Sequence, residues 1–232
     1  MNEAYHVYNR AAHKIPIFLE ERDYDRFLVL LHLTNNSKTI DVRNSLKRHK
    51  DEGRSSVFAD KTDRSLVDVL AYSLLPNHFH LVLRQKSAEG ITRYLRRVAT
   101  GYSMYFNLKY DHIGTLFQGR FRSSHLDNDS YFKWIFAYVH LNPVAFTDPE
   151  WHERGIRDIV RAQTQLQSYR YSSYYDYYTG ERPERAIIAY DEAADLVDRA
   201  CDLQEMLAEF GRGRVLHMEG MKDLQPAVQQ KT

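Results

Sequence analysis

The sequence predicts an α+β domain, one antiparallel sheet with helices on a face. Three observations carry this. LVDVLAYSLL (66–75) and HFHLVLRQ (78–85) are apolar, strand-like runs separated only by Pro76-Asn77. So short a connection can join only antiparallel neighbours. Segments 21–36 and 91–110 place their apolar residues at helical spacing. Strand-like and helix-like segments then alternate without an internal repeat, as in a sheet layered with helices.

The elements follow in chain order. AYHVYNRA (4–11) alternates and is rich in aromatics, a first strand. ERDYDRFLVLLHLTNN (21–36) is a helix with a stop at Asn35-Asn36. Residues 35–65 are polar and charged, so they read as a long loop or insertion, with helical character only in SLKRHK. The hairpin 66–85 comes next, with its histidines at the start of the second strand. ITRYLRRVATGYSMYFNLKY (91–110) is a long amphipathic helix. Ile91, Leu95, Val98, Tyr102 and Tyr105/Phe106 make one face, with Arg93, Arg96 and Arg97 mostly elsewhere. GTLFQGRFRSSHL (114–126) is glycine-punctuated and reads as a short strand. DNDSYFKWIFAYVHLNP (127–143) opens on capping residues and ends at Asn142-Pro143, a third helix. YRYSSYYDYYTG (169–180) reads as a tyrosine-rich loop, and YDEAADLVDRACDLQEMLAEF (190–210) as an acidic helix before a polar end. The expected division is a domain over 1–180, with its insertion at about 35–65, and a C-terminal helical appendage and tail over 181–232.

Composition sets limits. A chain of 232 residues with 43% hydrophobic residues can build one large domain with a real core. The net charge of +1 argues neither for nor against a polyanionic partner. The average conceals a patch. Between Arg84 and Arg122 stand Arg84, Lys86, Arg93, Arg96, Arg97, Lys109, Arg120 and Arg122, against only Glu89 and Asp111. Such an excess suits a phosphate backbone, or else a solvated basic face. The single cysteine, Cys201, excludes an internal disulfide and a cysteine zinc site. No segment has the length of a membrane span or the apolar run of a signal peptide, so the expectation is a soluble cytoplasmic protein.

The chemistry centres on LLPNHFHLVLRQ (74–85). In a strand His78 and His80 share one face and Phe79 takes the other. Two imidazoles two residues apart can grip a metal ion; a surface strand with two solvated histidines is the competing reading. Tyr138 and Asn142 lie four apart and share a helix face. A tyrosine hydroxyl, with a free pKa of about 10, becomes a competent nucleophile toward a metal-polarised phosphate. The Asn142 amide oxygen could reach the same ion. The plain alternative is a core tyrosine and a helix C-cap.

YHVYNRAAHKIPIF, AYSLLPNHFHLVL, GTLFQGRF, YVHLNPV and SSYYDYYTG occur in this order. The series resembles the single-tyrosine HUH transposases, in particular the REP-associated tyrosine transposase branch and its insertion-sequence relatives, over about residues 4–180. The resemblance implies a ferredoxin-like sandwich whose central antiparallel sheet carries the His-hydrophobe-His motif. It implies His78, His80 and Asn142 as metal ligands, Mg²⁺ or Mn²⁺ as the metal, and Tyr138 as the nucleophile. It implies single-stranded DNA as partner, folded into hairpin-forming repeats, with Arg93, Arg97, Arg120 and Arg122 as phosphate contacts, and so a nucleoid-associated location. Monomer and homodimer both stay open. One departure stands out: Asn142-Pro143-Val144 is followed by Ala145 where the family commonly has arginine.

The leading reading is therefore a metal-dependent single-strand DNA endonuclease and strand transferase with a 5′-phosphotyrosine intermediate. The second is a domesticated DNA-hairpin-binding protein without transposition. A third, a zinc hydrolase unrelated to nucleic acid, lacks a third strong ligand and a base.

Overall fold

The computed structural model describes residues 3–51, 53–60 and 64–197. Four strands, β1 (Ala4–Arg10), β2 (Val67–Leu75), β3 (His78–Gln85) and β4 (Arg122–Leu126), form one sheet of order β2-β3-β1-β4. Every neighbouring pair is antiparallel. Helix α1 (Glu21–Leu33) joins β1 to the hairpin, and α3 (Gly90–Tyr110) joins β3 to β4. This is the βαββαβ order of the ferredoxin-like fold, as expected. The helices are not confined to one face: α1 and α3 cover one, and α4 (Asp129–Leu141) covers the other.

The sorting follows from strand alternation. Val7, Phe79, Leu81 and Leu83 enter the core beneath α1 and α3, where the Phe79 ring lies 5.1 Å from Phe27. Ala4 and Val82 enter the core beneath α4 with Ile135, Phe136 and Tyr138. Burying a side chain such as Phe79 stabilises by about 1.5–3 kcal/mol. The Pro76-Asn77 turn is tied down by the chain that follows β1. The Pro76 carbonyl accepts from Ile17 N at 2.7 Å and Phe18 N at 3.1 Å, and the Asn77 carbonyl from Ala11 N at 2.9 Å.

The segment 35–65, in its described residues, holds more regular structure than a loop. It contains α2 (Val42–Arg48), capped by Asp41, and a 3-10 turn at Arg54–Ala59 whose Val57 is fully buried. Asn35 binds it to the sheet: its amide donates to the Val67 carbonyl and its oxygen accepts from Leu66 and Val67 N–H.

After α4 come α5 (Trp151–Arg154), α6 (Ile159–Ser168) and α7 (Tyr174–Tyr178). The last corrects the expected tyrosine-rich loop. The reason is tertiary. The outer edge of β2 is covered by this segment through Leu74 N to Tyr171 O and Ser173 N to Tyr72 O, which removes an open sheet edge. Tyr177 then donates to the Leu70 carbonyl at 2.7 Å, and Ser173 Oγ meets His140 of α4 at 2.8 Å. The chain just beyond residue 180 also packs on the domain, with Ile187 and Ile188 in the α1/α3 core. Helix α8 (Tyr190–Val197) starts where the acidic helix was expected. The remainder of that helix, the tail and Cys201 lie outside the described residues.

Asp23 joins the two helices of one face. It is fully buried and accepts from Leu19 N and Glu20 N, from Tyr105 and Tyr110 hydroxyls, and from Lys109 at 2.6 Å. Burial pushes this carboxyl up, but the hydrogen bonds, led by Lys109, outweigh it and hold it below its ordinary value. Asp23→Asn should lower the unfolding free energy at pH 7 by about 1.5–3 kcal/mol. The contribution exists above the unfolded carboxylate value of about 3.9 and is lost as pH falls through the folded value. Denaturant curves of both proteins should therefore converge in acid; a gap of constant size from pH 7 to pH 2.5 would refute the assignment.

Candidate metal and nucleophile site

Strand register builds the floor of the site. Tyr8 of β1 lies opposite His80 of β3 and Arg122 of β4, and His80 also lies opposite Ser73 of β2. Directly opposed residues project from the same face. Arg122, Tyr8, His80 and Ser73 therefore form one row across the sheet, beneath α4. His6 and His78 flank that row on the same face, His78 opposite Arg10.

Helix α4 is the roof. Asn128 caps it by accepting from Tyr131 N at 2.8 Å. Tyr138 sits one turn before its end, with its ring centroid 5.6 Å from His80 and 6.1 Å from His6, both edge-on. Trp134, one turn earlier, stacks on Tyr138 at 5.5 Å. Asn142 donates its amide to the Tyr138 carbonyl at 2.8 Å. The His78 and His80 rings thus lie 5.1 Å apart, the His80 ring lies 5.6 Å from Tyr138, and Asn142 is bound to the Tyr138 backbone.

All four are buried: His78, His80 and Asn142 have no exposure, and Tyr138 has 4%. Within this enclosure His78 Nε2, His80 Nε2 and Asn142 Oδ1 have no hydrogen-bond partner. Such buried, unpaired polar atoms are rare and demand an explanation. The other ring nitrogens are engaged: His78 Nδ1 with Asn77 Oδ1 at 2.7 Å, His80 Nδ1 with His6 Nε2 at 3.0 Å. Two imidazole nitrogens and one amide oxygen are a donor set that fits a divalent cation. Among the described residues, no group of three or more His, Cys, Asp or Glu side chains could hold one.

Burial sets the protonation states. It pushes His6 and His78 down to about 3, and His80 well below its ordinary value. These rings are neutral near pH 7, the form that ligates metals. Burial pushes the Tyr138 phenol well above its ordinary value, with the Asn142 side chain acting in the opposite sense. Tyr138 is therefore a protonated phenol at rest.

The sequence reading missed His6, Tyr8, Asn77 and His152. The His152 ring lies 5.6 Å from Tyr138 and 4.0 Å from Trp151, and burial pushes it down to about 4. His6 was readable in principle, since β1 alternation puts Ala4, His6, Tyr8 and Arg10 on one face. His152 carries no such signal, because α5 reaches Tyr138 only through the return of the chain after Pro143.

The four arginines divide. Arg93 and Arg97 belong to α3 and are separated from the histidines by the sheet. Arg97 donates to the carbonyls of Asn36 and Lys38 and approaches that of Thr34, while Arg93 reaches Ser37 O at 3.4 Å. Their visible work is to hold the chain after α1. Arg120 and Arg122 are exposed, and Arg122 lies in the row that contains His80. On the far face, α1, α3 and the 35–65 segment enclose a separate basic cavity of about 560 Å³ that includes Arg22, Arg26 and Lys109.

The model of the family described as "Transposase IS200 like" matches residues 26–142, half of the chain, and its match ends on Asn142. No curated protein matches. A solved structure, "Structure of the REP associates tyrosine transposase bound to a REP hairpin", aligns with a TM-score of 0.45 and 11% identity, over 75% of this chain and 78% of that one. No helix among the described residues is long and apolar enough to cross a membrane.

The division of the arginines is testable without DNA. Arg97→Ala should lower the unfolding free energy by about 1–3 kcal/mol, since several carbonyls lose a charged donor. Arg120→Ala should change it by less than about 0.5 kcal/mol. Equal effects in urea denaturation would contradict the division.

Proposed function

The chain belongs to the IS200-like transposase family, and we propose that it is a metal-dependent single-stranded DNA endonuclease and strand transferase acting at DNA hairpins. The observation that supports this best is the burial of three unpartnered donor atoms, on His78, His80 and Asn142, with the His80 ring 5.6 Å from that of Tyr138. A bound Mg²⁺ or Mn²⁺ would supply Lewis-acid polarisation of the scissile phosphate. His78 and His80, neutral and fixed on the sheet, and Asn142 would hold it. Tyr138 would attack phosphorus in line. Its phenol gives up a proton as the Tyr O–P bond forms. The 3′ oxygen departs as the P–O bond breaks and takes up a proton, leaving a 5′-phosphotyrosine. Attack by another 3′-hydroxyl reverses the step and joins strands, so no nucleotide cofactor is required.

The substrate follows from what surrounds the site. Arg122 lies in the His80 row, and half-buried Trp134 stacks on the nucleophile candidate. A cation and an aromatic ring on one side of the sheet suit a single strand, whose bases are free to stack. Arg120 and Arg122, both exposed, are the better-placed phosphate contacts; Arg93 and Arg97 lie across the sheet from the histidines.

A second reading, a hairpin-binding protein without transposition, draws on the 4% exposure of Tyr138. It places DNA on the same surface without covalent chemistry.

Incubation with hairpin-bearing single-stranded oligonucleotides from the flanks of its own gene distinguishes them. The proposal expects a covalent protein–DNA adduct with Mn²⁺, none with EDTA, and none with Tyr138→Phe. Binding without any adduct favours the second reading. An adduct that survives Tyr138→Phe rejects Tyr138 as nucleophile.

A further inference from the structure

We infer that Asn77 and His6 are positioning residues: Asn77 fixes the His78 proton on Nδ1 and leaves Nε2 as a lone pair for the cation, and His6 accepts from His80 Nδ1 once a cation takes His80 Nε2. The inference rests on the cation reading above for the state of His80, and on hydrogen bonds alone for the state of His78.

A neutral imidazole has one N–H and one lone pair, and the partner of one nitrogen decides the state of the other. Asn77 is the clearer case. Its amide nitrogen donates to the Lys14 carbonyl at 3.3 Å, so its oxygen is the atom that faces His78 Nδ1 at 2.7 Å. Turning the amide over would set oxygen against oxygen at Lys14. Asn77 Oδ1 can only accept, so His78 Nδ1 must donate. His78 Nε2 is then a lone pair, and it is the atom left buried and unpartnered.

His6 acts differently because it is itself an imidazole. The His6 and His80 rings lie parallel within 9°, with His6 Nε2 and His80 Nδ1 at 3.0 Å. One of the two donates. If His6 donates, His80 carries its proton on Nε2 and cannot ligate. If His80 donates, its Nε2 is a lone pair and His6 carries its proton on Nδ1. Both His80 Nε2 and His6 Nδ1 are unpartnered and buried, so hydrogen bonding alone does not favour either arrangement. A cation at His80 Nε2 selects the second. Asn77 thus locks one ligand in advance, and His6 lets the other follow: the shared proton passes from His6 Nε2 to His80 Nδ1, His80 Nε2 releases its proton to the cation's site, and His6 takes one up at Nδ1. The sheet supplies both partners: Asn77 from the hairpin turn, His6 from the neighbouring strand.

The test uses the full chain labelled with ¹⁵N-histidine. In the metal-free protein, two-bond ¹H–¹⁵N spectra should find His78 protonated at Nδ1. Mn²⁺ affinity, followed by loss of the free-ion EPR signal, should weaken about 10–100-fold in Asn77→Ala and in His6→Phe. Recovery is expected in His6→Gln, which restores an acceptor. Thermal midpoints identify any variant that fails to fold, and Asn77→Leu, of similar size and without the acceptor, then replaces Asn77→Ala. His78 protonated at Nε2 would overturn the role of Asn77. Unweakened Mn²⁺ binding in both folded variants, or no recovery in His6→Gln, would overturn the positioning roles. If the unaltered protein binds no Mn²⁺, the cation reading fails by itself, and the His78 spectrum still decides whether Asn77 sets its tautomer.

Discussion

The antiparallel pairing of β1 with β3 is the constraint on which the rest depends. Strand side chains alternate with a period of two, so a slip of one residue would exchange the faces of every side chain in β3. His78 and His80 would then lie under α1 and α3, and Phe79 under α4. The Pro76-Asn77 turn prevents this from the β2 side, and its carbonyls bind the chain leaving β1. The large apolar group Phe79 enforces it from below, since its ring has Phe27 and Phe117 as neighbours only in the observed register.

That register also explains the character of the site. A face that holds His6, His78 and His80 without exposure would be destabilising if it remained merely polar. It is tolerable because each ring is neutral, each has one nitrogen hydrogen-bonded, and α4 closes over them with an aromatic surface. The same enclosure makes the three unpaired donor atoms conspicuous. It also separates two kinds of basic residue. Arg122 is carried by the strand row that ends at the histidines, whereas Arg97 is consumed by carbonyls on the other side of the sheet.

Much of this was legible in the residues. The helices α1, α3 and α4 announce themselves by period, and α4 also by the capping residues at its start. The hairpin is fixed by its two-residue connection, and the face shared by His78 and His80 follows from it. What was not legible depends on contacts between distant segments. The helix α7 lies in a serine- and tyrosine-rich run without a clear apolar period, and it exists because it covers the β2 edge. His6 gains its meaning only when β1 is known to lie beside β3. Charge counting placed Arg93 and Arg97 with Arg122 because a sequence does not reveal where carbonyls need donors. The resemblance to single-tyrosine transposases agrees with the family match over residues 26–142, while β1, which carries His6 and Tyr8, lies before that match.

The central claim is that His78, His80 and Asn142 hold one divalent cation beside Tyr138. The most direct measurement is anomalous diffraction at the manganese edge from crystals soaked in Mn²⁺. The account predicts a single strong peak within bonding distance of both Nε2 atoms and of Asn142 Oδ1. Well-ordered crystals without a peak there, or with manganese held by other side chains, would contradict it.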